Sequence, residues 1–286
     1  MAEYVLTLSC PDRTGIVHAV AAYLHEAGCN VLDSQQFADR TAGRFFMRVH
    51  VETLPPEQPS YDDLYSGFAL VAAQFSMEWE LHDTAVRPRV LIMVSKAGHC
   101  LNDLLYRRAA ESLPVDIPLV VGNHADLAPL AAAHGVAFEH VPVGGDSLSA
   151  VRSEGRVLEL TDQLGIDFIV LARYMRILSP ELCAKMTGRI INIHHSFLPS
   201  FKGARPYHQA HAHGVKLIGA TAHYVTADLD EGPIIEQEVA RVDHSSSPDD
   251  LAAIGRDAER VALARAVRWH AEHRVLLHGR RTVIFR

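Results

Sequence analysis

Tyr4-Val5-Leu6-Thr7-Leu8-Ser9 is an apolar run of strand length, and Pro11-Asp12-Arg13-Thr14-Gly15 interrupts it with turn chemistry. Helical periodicity runs from Ile16 to about Ala27 and stops at Gly28, the residue type that most readily closes a helix. Residues 30–38 and 44–52 read as two strands joined around 39–43, and residues 61–75 as a helix. In residues 77–81, Glu78 and Glu80 alternate with Met77, Trp79 and Leu81, the period of a strand. The pattern changes after His82-Asp83-Thr84-Ala85-Val86-Arg87-Pro88. Near-continuous apolar strands at 89–94, 117–121, 138–141 and 167–172 alternate with helical stretches at 101–112, 127–134 and 148–164. A short helix at 207–213, strands at 217–225 and 234–239, and a long helix from 251 to about 274 complete the series.

The first stretch has the order β-α-β-β-α-β, a ferredoxin-like unit. The second predicts a doubly wound, mostly parallel sheet covered on both faces, which binds ligands at the carboxyl ends of its strands. The expected division is a first domain at 1–83, a linker at 84–88 and a second domain at 89–286.

Composition narrows the function classes. The apolar fraction of 48% and charged fraction of 21% are ordinary for a globular chain of 286 residues. A net charge of −7 offers no basic field for nucleic acid or an anionic membrane. The start lacks a basic region and apolar core of secretory type, so the expected location is the cytoplasm. Cys10, Cys29, Cys100 and Cys183 form no C-x-x-C pair and read as reduced thiols.

The stretch richest in chemistry is Arg189-Ile190-Ile191-Asn192-Ile193-His194-His195-Ser196. With a side-chain period of two, Asn192 and His194 share one face while Ile191 and Ile193 pack behind. An amide donor and an imidazole side by side at a strand end can meet one carbonyl oxygen. His194, His195, His208, His211, His213 and His223 also crowd this region, but no H-E-x-x-H or comparable ligand set appears. No metal or other cofactor is expected.

Asn192-Ile193-His194, Ser196-Phe197-Leu198-Pro199 and Leu229-Asp230-Glu231-Gly232-Pro233 together resemble the folate-dependent formyltransferase superfamily over about residues 88–270. The first 80 or so residues resemble the ACT family of small ligand-sensing domains, most clearly in the strand, the Pro-Asp-Arg-Thr-Gly turn and the helix. The resemblance implies that Asn192, His194 and Asp230 surround the formyl group of 10-formyltetrahydrofolate as catalytic residues. Attack on a formyl carbon puts negative charge on its oxygen, which an amide and an imidazolium stabilise. A carboxylate beside the imidazole keeps it charged or takes up a proton from the nucleophile. The resemblance further assigns Met175, Arg176, Ile177 and Leu178, with Asp228, to folate binding. Asp12 and Gly15 become candidates for binding a regulatory amino acid such as glycine or methionine.

Which acceptor is used decides the reaction. Superfamily members that formylate glycinamide ribonucleotide carry a glycine- and serine-rich loop after the first strand, where backbone N–H groups cradle the acceptor's phosphate. Here Ser95-Lys96-Ala97-Gly98-His99-Cys100-Leu101-Asn102 stands at that place, with one glycine. Members that act on methionyl-tRNA carry a basic RNA-binding domain after the catalytic unit, and this sequence offers none. Water remains. The expected function is a hydrolase acting on a linear amide C–N bond, releasing formate and tetrahydrofolate and balancing one-carbon pools for purine biosynthesis. The same arrangement, with motifs such as Gly203-Ala204-Arg205-Pro206-Tyr207-His208, resembles the hydrolytic branch of the superfamily over nearly the whole chain. The alternatives are a formyltransferase acting on an amine such as glycinamide ribonucleotide and a non-catalytic amino-acid or folate sensor. ACT-like units commonly pair edge to edge, so a homo-oligomer, a dimer or tetramer, is expected, with no nucleic-acid or membrane partner.

Overall fold

The computed structural model describes residues 1–55, 58–144, 147–198 and 206–286. Pro199, Gly203, Ala204 and Arg205, from the motifs noted above, lie outside the described residues.

The chain forms two compact units, one of Met1–Arg87 with Glu272–His278 and Val283–Arg286, the other of Pro88–Ala271 with Gly279–Thr282. The first contains β1 (Glu3–Pro11), α1 (Ile16–Glu26), β2 (Cys29–Asp39), β3 (Arg44–Thr53), α2 (Tyr61–Phe75) and β4 (Glu78–Asp83). The sheet order is β2-β3-β1-β4, every pair antiparallel. Ile16, Val20 and Leu24, four residues apart, bury one stripe of α1 with Leu64, Phe68 and Ala72 of α2 in the core under this sheet. Ser60 and Asp63 form a reciprocal capping box that starts α2.

The second unit runs through β5 (Arg89–Val94), α3 (His99–Ala109), β6 (Asp116–Gly122), α4 (Ala128–Ala133), β7 (Ala137–His140), α5 (Ser147–Gln163) and β8 (Phe168–Leu171). It continues with α6 (Pro180–Lys185), β9 (Ile190–His194), α7 (Pro206–Ala212), β10 (Leu217–Tyr224), β11 (Ile234–Arg241) and α8 (Pro248–Ala271). Its sheet has the order β11-β10-β9-β8-β5-β6-β7. The pairs from β9 to β7 are parallel, and β10 and β11 add an antiparallel edge. Strand order reverses between β5 and β8, which places the ligand-binding crevice beyond their carboxyl ends. Among the described residues, no helix is long and apolar enough to cross a membrane.

The tail departs from the expected 89–286 domain. The long helix ends at Ala271, His273 takes a left-handed backbone (φ 53°), and a hairpin of β12 (Val275–His278) and β13 (Arg281–Ile284) follows. Most of it belongs to the first unit for a polar reason. Arg48, 3% exposed, pairs with Asp33 and donates to the carbonyls of Glu272 and His273 at 3.1 and 3.2 Å. Phe46, fully buried, meets the His278 ring edge to face. No alternation in the sequence announces these contacts.

Candidate active site

β9 holds the site because Ile191 and Ile193 bury one of its faces while Asn192 and His194 share the other. Its antiparallel register with β10 sets Asn192 opposite His223 and His194 opposite Thr221. Directly opposed side chains lie on one face, so four polar groups converge there. Thr221 Oγ1, fully buried, donates to the Ser196 carbonyl at 3.0 Å and accepts from the Leu198 N–H at 3.1 Å, which fixes the chain leaving His194.

His223 Nδ1 donates to the Tyr224 carbonyl at 2.8 Å. That bond leaves Nε2 as an acceptor, and Asn192 Nδ2 donates to it at 3.2 Å. The loop after β10 brings Asp230 back over this face. Asp230 adopts a left-handed backbone (φ 56°), which its short polar side chain tolerates. Gly232 permits the return, since a Cβ there would stand 1.7 Å from the Tyr224 carbonyl oxygen.

Asp230 Oδ1 lies 3.3 Å from His194 Nδ1 and 3.7 Å from His223 Nε2. The contact with His194 holds its carboxyl well below the usual carboxylate range. His194 is 8% exposed, and its Nε2 is buried with no hydrogen-bond partner among the described residues. An unpartnered buried nitrogen at a cavity is a group kept for a ligand.

That cavity encloses about 270 Å³. Its lining includes every residue read from the sequence as catalytic or folate-binding: Asn192, His194, Asp230, Met175, Arg176, Ile177, Leu178 and Asp228. Met175 and Ile177 are 58% and 72% exposed, apolar surface beside a polar cleft. Ser95 Oγ accepts the Met175 N–H at 3.0 Å, so the loop after β5 steadies the loop after β8. Arg176 donates to the Val143 carbonyl at 3.2 Å. Asp12 and Gly15 belong to the first unit, where Asp12 N–H donates to the Gly43 carbonyl and Gly15 (φ 92°) precedes α1.

Sequence reasoning left His195, Tyr207 and His223 without roles and passed over Arg173 and Glu259. His195 lines the cavity and stacks on His194 with ring centroids 5.0 Å apart. Burial, then Arg173 and His194, lower its pKa to about 4 and keep it neutral. Glu259, on α8, is 1% exposed. Its Oε1 accepts from the Tyr207 hydroxyl at 3.0 Å, and its Oε2 lies 2.7 Å from His99 Nε2 and 3.4 Å from Arg173 Nε. The available signal was a glutamate inside the apolar stripe Leu251, Gly255, Ala258, Ala262, Ala266.

A doubly wound sheet with an Asn–His–Asp cluster at the end of an inner strand, in a chain that also has a βαββαβ unit, defines a formyltransferase-type protein with an ACT domain. Comparison with known proteins agrees. The formyl transferase family profile matches residues 88–267 and the ACT domain profile residues 4–59. The formyltetrahydrofolate deformylase of Corynebacterium sp. (strain P-1) is 50% identical over 99% of this chain and 98% of its own. The crystal structure of that enzyme from Burkholderia mallei superposes with a TM-score of 0.94 at 51% identity, covering both chains completely. Glycinamide ribonucleotide transformylase 1 from Symbiobacterium toebii reaches a TM-score of 0.66 at 30% identity, covering 72% of this chain and 98% of its own. The chain belongs to the formyltetrahydrofolate deformylase family.

Proposed function

We propose that this chain hydrolyses 10-formyltetrahydrofolate to formate and tetrahydrofolate. The observation that carries the reading is the buried His194 Nε2, unpartnered among the described residues, with its other nitrogen on Asp230 and the Asn192 amide on the same face. Asn192, oriented by His223, and His194, paired with Asp230, donate to the formyl oxygen as it gains negative charge. Water adds to the formyl carbon, and the proton it loses passes through the His194–Asp230 pair to N10. The C–N10 bond then breaks and leaves formic acid, which ionises to formate. Met175, Arg176, Ile177, Leu178 and Asp228 hold the folate. The test is incubation with 10-formyltetrahydrofolate alone. Formate release without any amine acceptor supports the reading, and folate binding without turnover makes the protein a sensor.

In this reading the reaction needs no metal. His99, Cys100 and Glu259 could offer three ligand atoms within 4.8 Å of one another. A cation there would face the Arg173 guanidinium already paired with Glu259, which supports a metal-free site. Activity surviving exhaustive chelation is the expected result.

The first unit binds a regulatory amino acid, glycine or methionine, at the Asp12–Gly15 turn, and it pairs with a second copy. Edge strand β2 supports pairing, since Val31, Leu32 and Phe37 are each more than 40% exposed on it. The assembled enzyme works in the cytoplasm, where it balances one-carbon folate pools for purine biosynthesis. Activity that responds to neither amino acid would leave the unit an assembly module.

A further inference from the structure

The crevice beyond the carboxyl ends of β5 and β8 is where a sheet of this order ordinarily receives a ligand. Here side chains from four segments of the chain meet around one carboxylate. His99, the first residue of α3, reaches Glu259 from the loop after β5. Arg173 reaches the same carboxylate from the end of β8, and Tyr207 from α7. Burial alone would raise the Glu259 pKa, but His99, Arg173 and Tyr207 outweigh it and hold the carboxyl charged. The anion facing the start of α3 and the guanidinium is therefore internal.

Arg173 belongs to both clusters. It lines the cavity beside His195 and its Nε stands 3.4 Å from Glu259 Oε2, while Nε and Nη1 have no hydrogen-bond partner among the described residues. Its backbone is left-handed (φ 62°), a conformation that costs a side-chain-bearing residue and persists where surrounding contacts enforce it.

We propose that the His99–Glu259–Arg173–Tyr207 clasp restricts the acceptor to water, by filling the crevice that the body of an amine acceptor would need to occupy. The inference rests on the hydrolytic reading above. Water requires no crevice for the rest of its molecule, and the guanidinium at the cavity wall repels an ammonium group. An amine that did reach the formyl carbon would form a C–N bond, transfer its proton to N10 as the C–N10 bond breaks, and leave as a formamide.

The test is a product partition. Wild type, R173G, R173K and H99S/R173G/E259Q are each incubated with 10-formyltetrahydrofolate and glycinamide, and N-formylglycinamide and formate are measured in the same reaction. Their ratio does not depend on how much of a variant is folded, so a merely structural role would leave it unmoved. Glycine suits the backbone at position 173, and the triple substitution leaves no carboxylate charge unpaired. In R173G and the triple variant the ratio should rise about tenfold or more. R173K, which keeps a cation at the wall, should stay near wild type. A ratio unchanged in both opened variants overturns the proposal, and if the triple variant does not turn over, R173G decides alone. Wild type releasing no formate would defeat the hydrolytic reading instead, a distinguishable failure.

Discussion

Asp230 and Glu259 are carboxylates of the same unit, each largely shielded from solvent and each set against an imidazole. Around Glu259 both oxygens are engaged, by a hydroxyl, an imidazole and a guanidinium. Around Asp230 the imidazole's far nitrogen has no partner among the described residues, and the pair borders a cavity. The same two functional groups thus make a cluster closed around its carboxylate in one place, where Arg173 Nε and Nη1 are left without a hydrogen-bond partner among the described residues, and one open to a cavity in the other. What separates them is where bonding capacity is left over, not the residue types.

The contrast breaks hardest at the open cluster. D230N keeps the shape but removes the charge that holds His194, so kcat should fall about 10³- to 10⁴-fold while folate binding, followed by fluorescence titration, largely survives. At the closed cluster the effect moves to stability. E259A strands the Arg173 and His99 side chains and should lower unfolding free energy by about 3–5 kcal/mol in urea titrations. N192A removes one donor to the developing oxyanion and should reduce kcat about 10²- to 10³-fold with little change in KM.

His195, between the clusters, gives the comparison a pH axis. Its pKa falls from 6.5 in the unfolded chain to about 4 in the native state, so the unfolded chain binds the additional proton in that window. Stability should therefore drop as pH falls from about 6.5 to 4, by roughly 3 kcal/mol in all. H195N should flatten that part of the profile of urea midpoint against pH, and an unchanged slope would show that another group titrates. The smallest effect belongs to H223A, which frees the Asn192 amide to rotate and should reduce kcat about tenfold.

Both sheets were legible because their strands carry long apolar or alternating runs and their helices end at glycines or capping residues. The Asn192, His194 and Asp230 cluster was legible from ordered motifs, although Asp230 lies 36 residues beyond His194 in the chain. The Glu259 clasp was not. Its members come from four separate segments, and apart from Glu259 in the apolar stripe of α8 each taken singly looks like a surface or turn residue. Only burial distinguishes them, and burial at Glu259 depends on the register of α8 against the sheet. The tail hairpin escaped for a related reason, since backbone carbonyls of Glu272 and His273 satisfy Arg48 and carbonyls leave no mark in sequence.

That tail has a consequence for how the protein is made. Translation delivers β1 through β4 first, yet Arg48 receives two of its acceptors, and Phe46 one of its two ring partners, only from residues beyond 271. A nascent chain whose residues beyond 271 are still inside the ribosome holds a sheet whose buried arginine is incompletely satisfied. The unit synthesised first is therefore completed only after the second has been made, and truncation after residue 271 should damage the amino-terminal sheet.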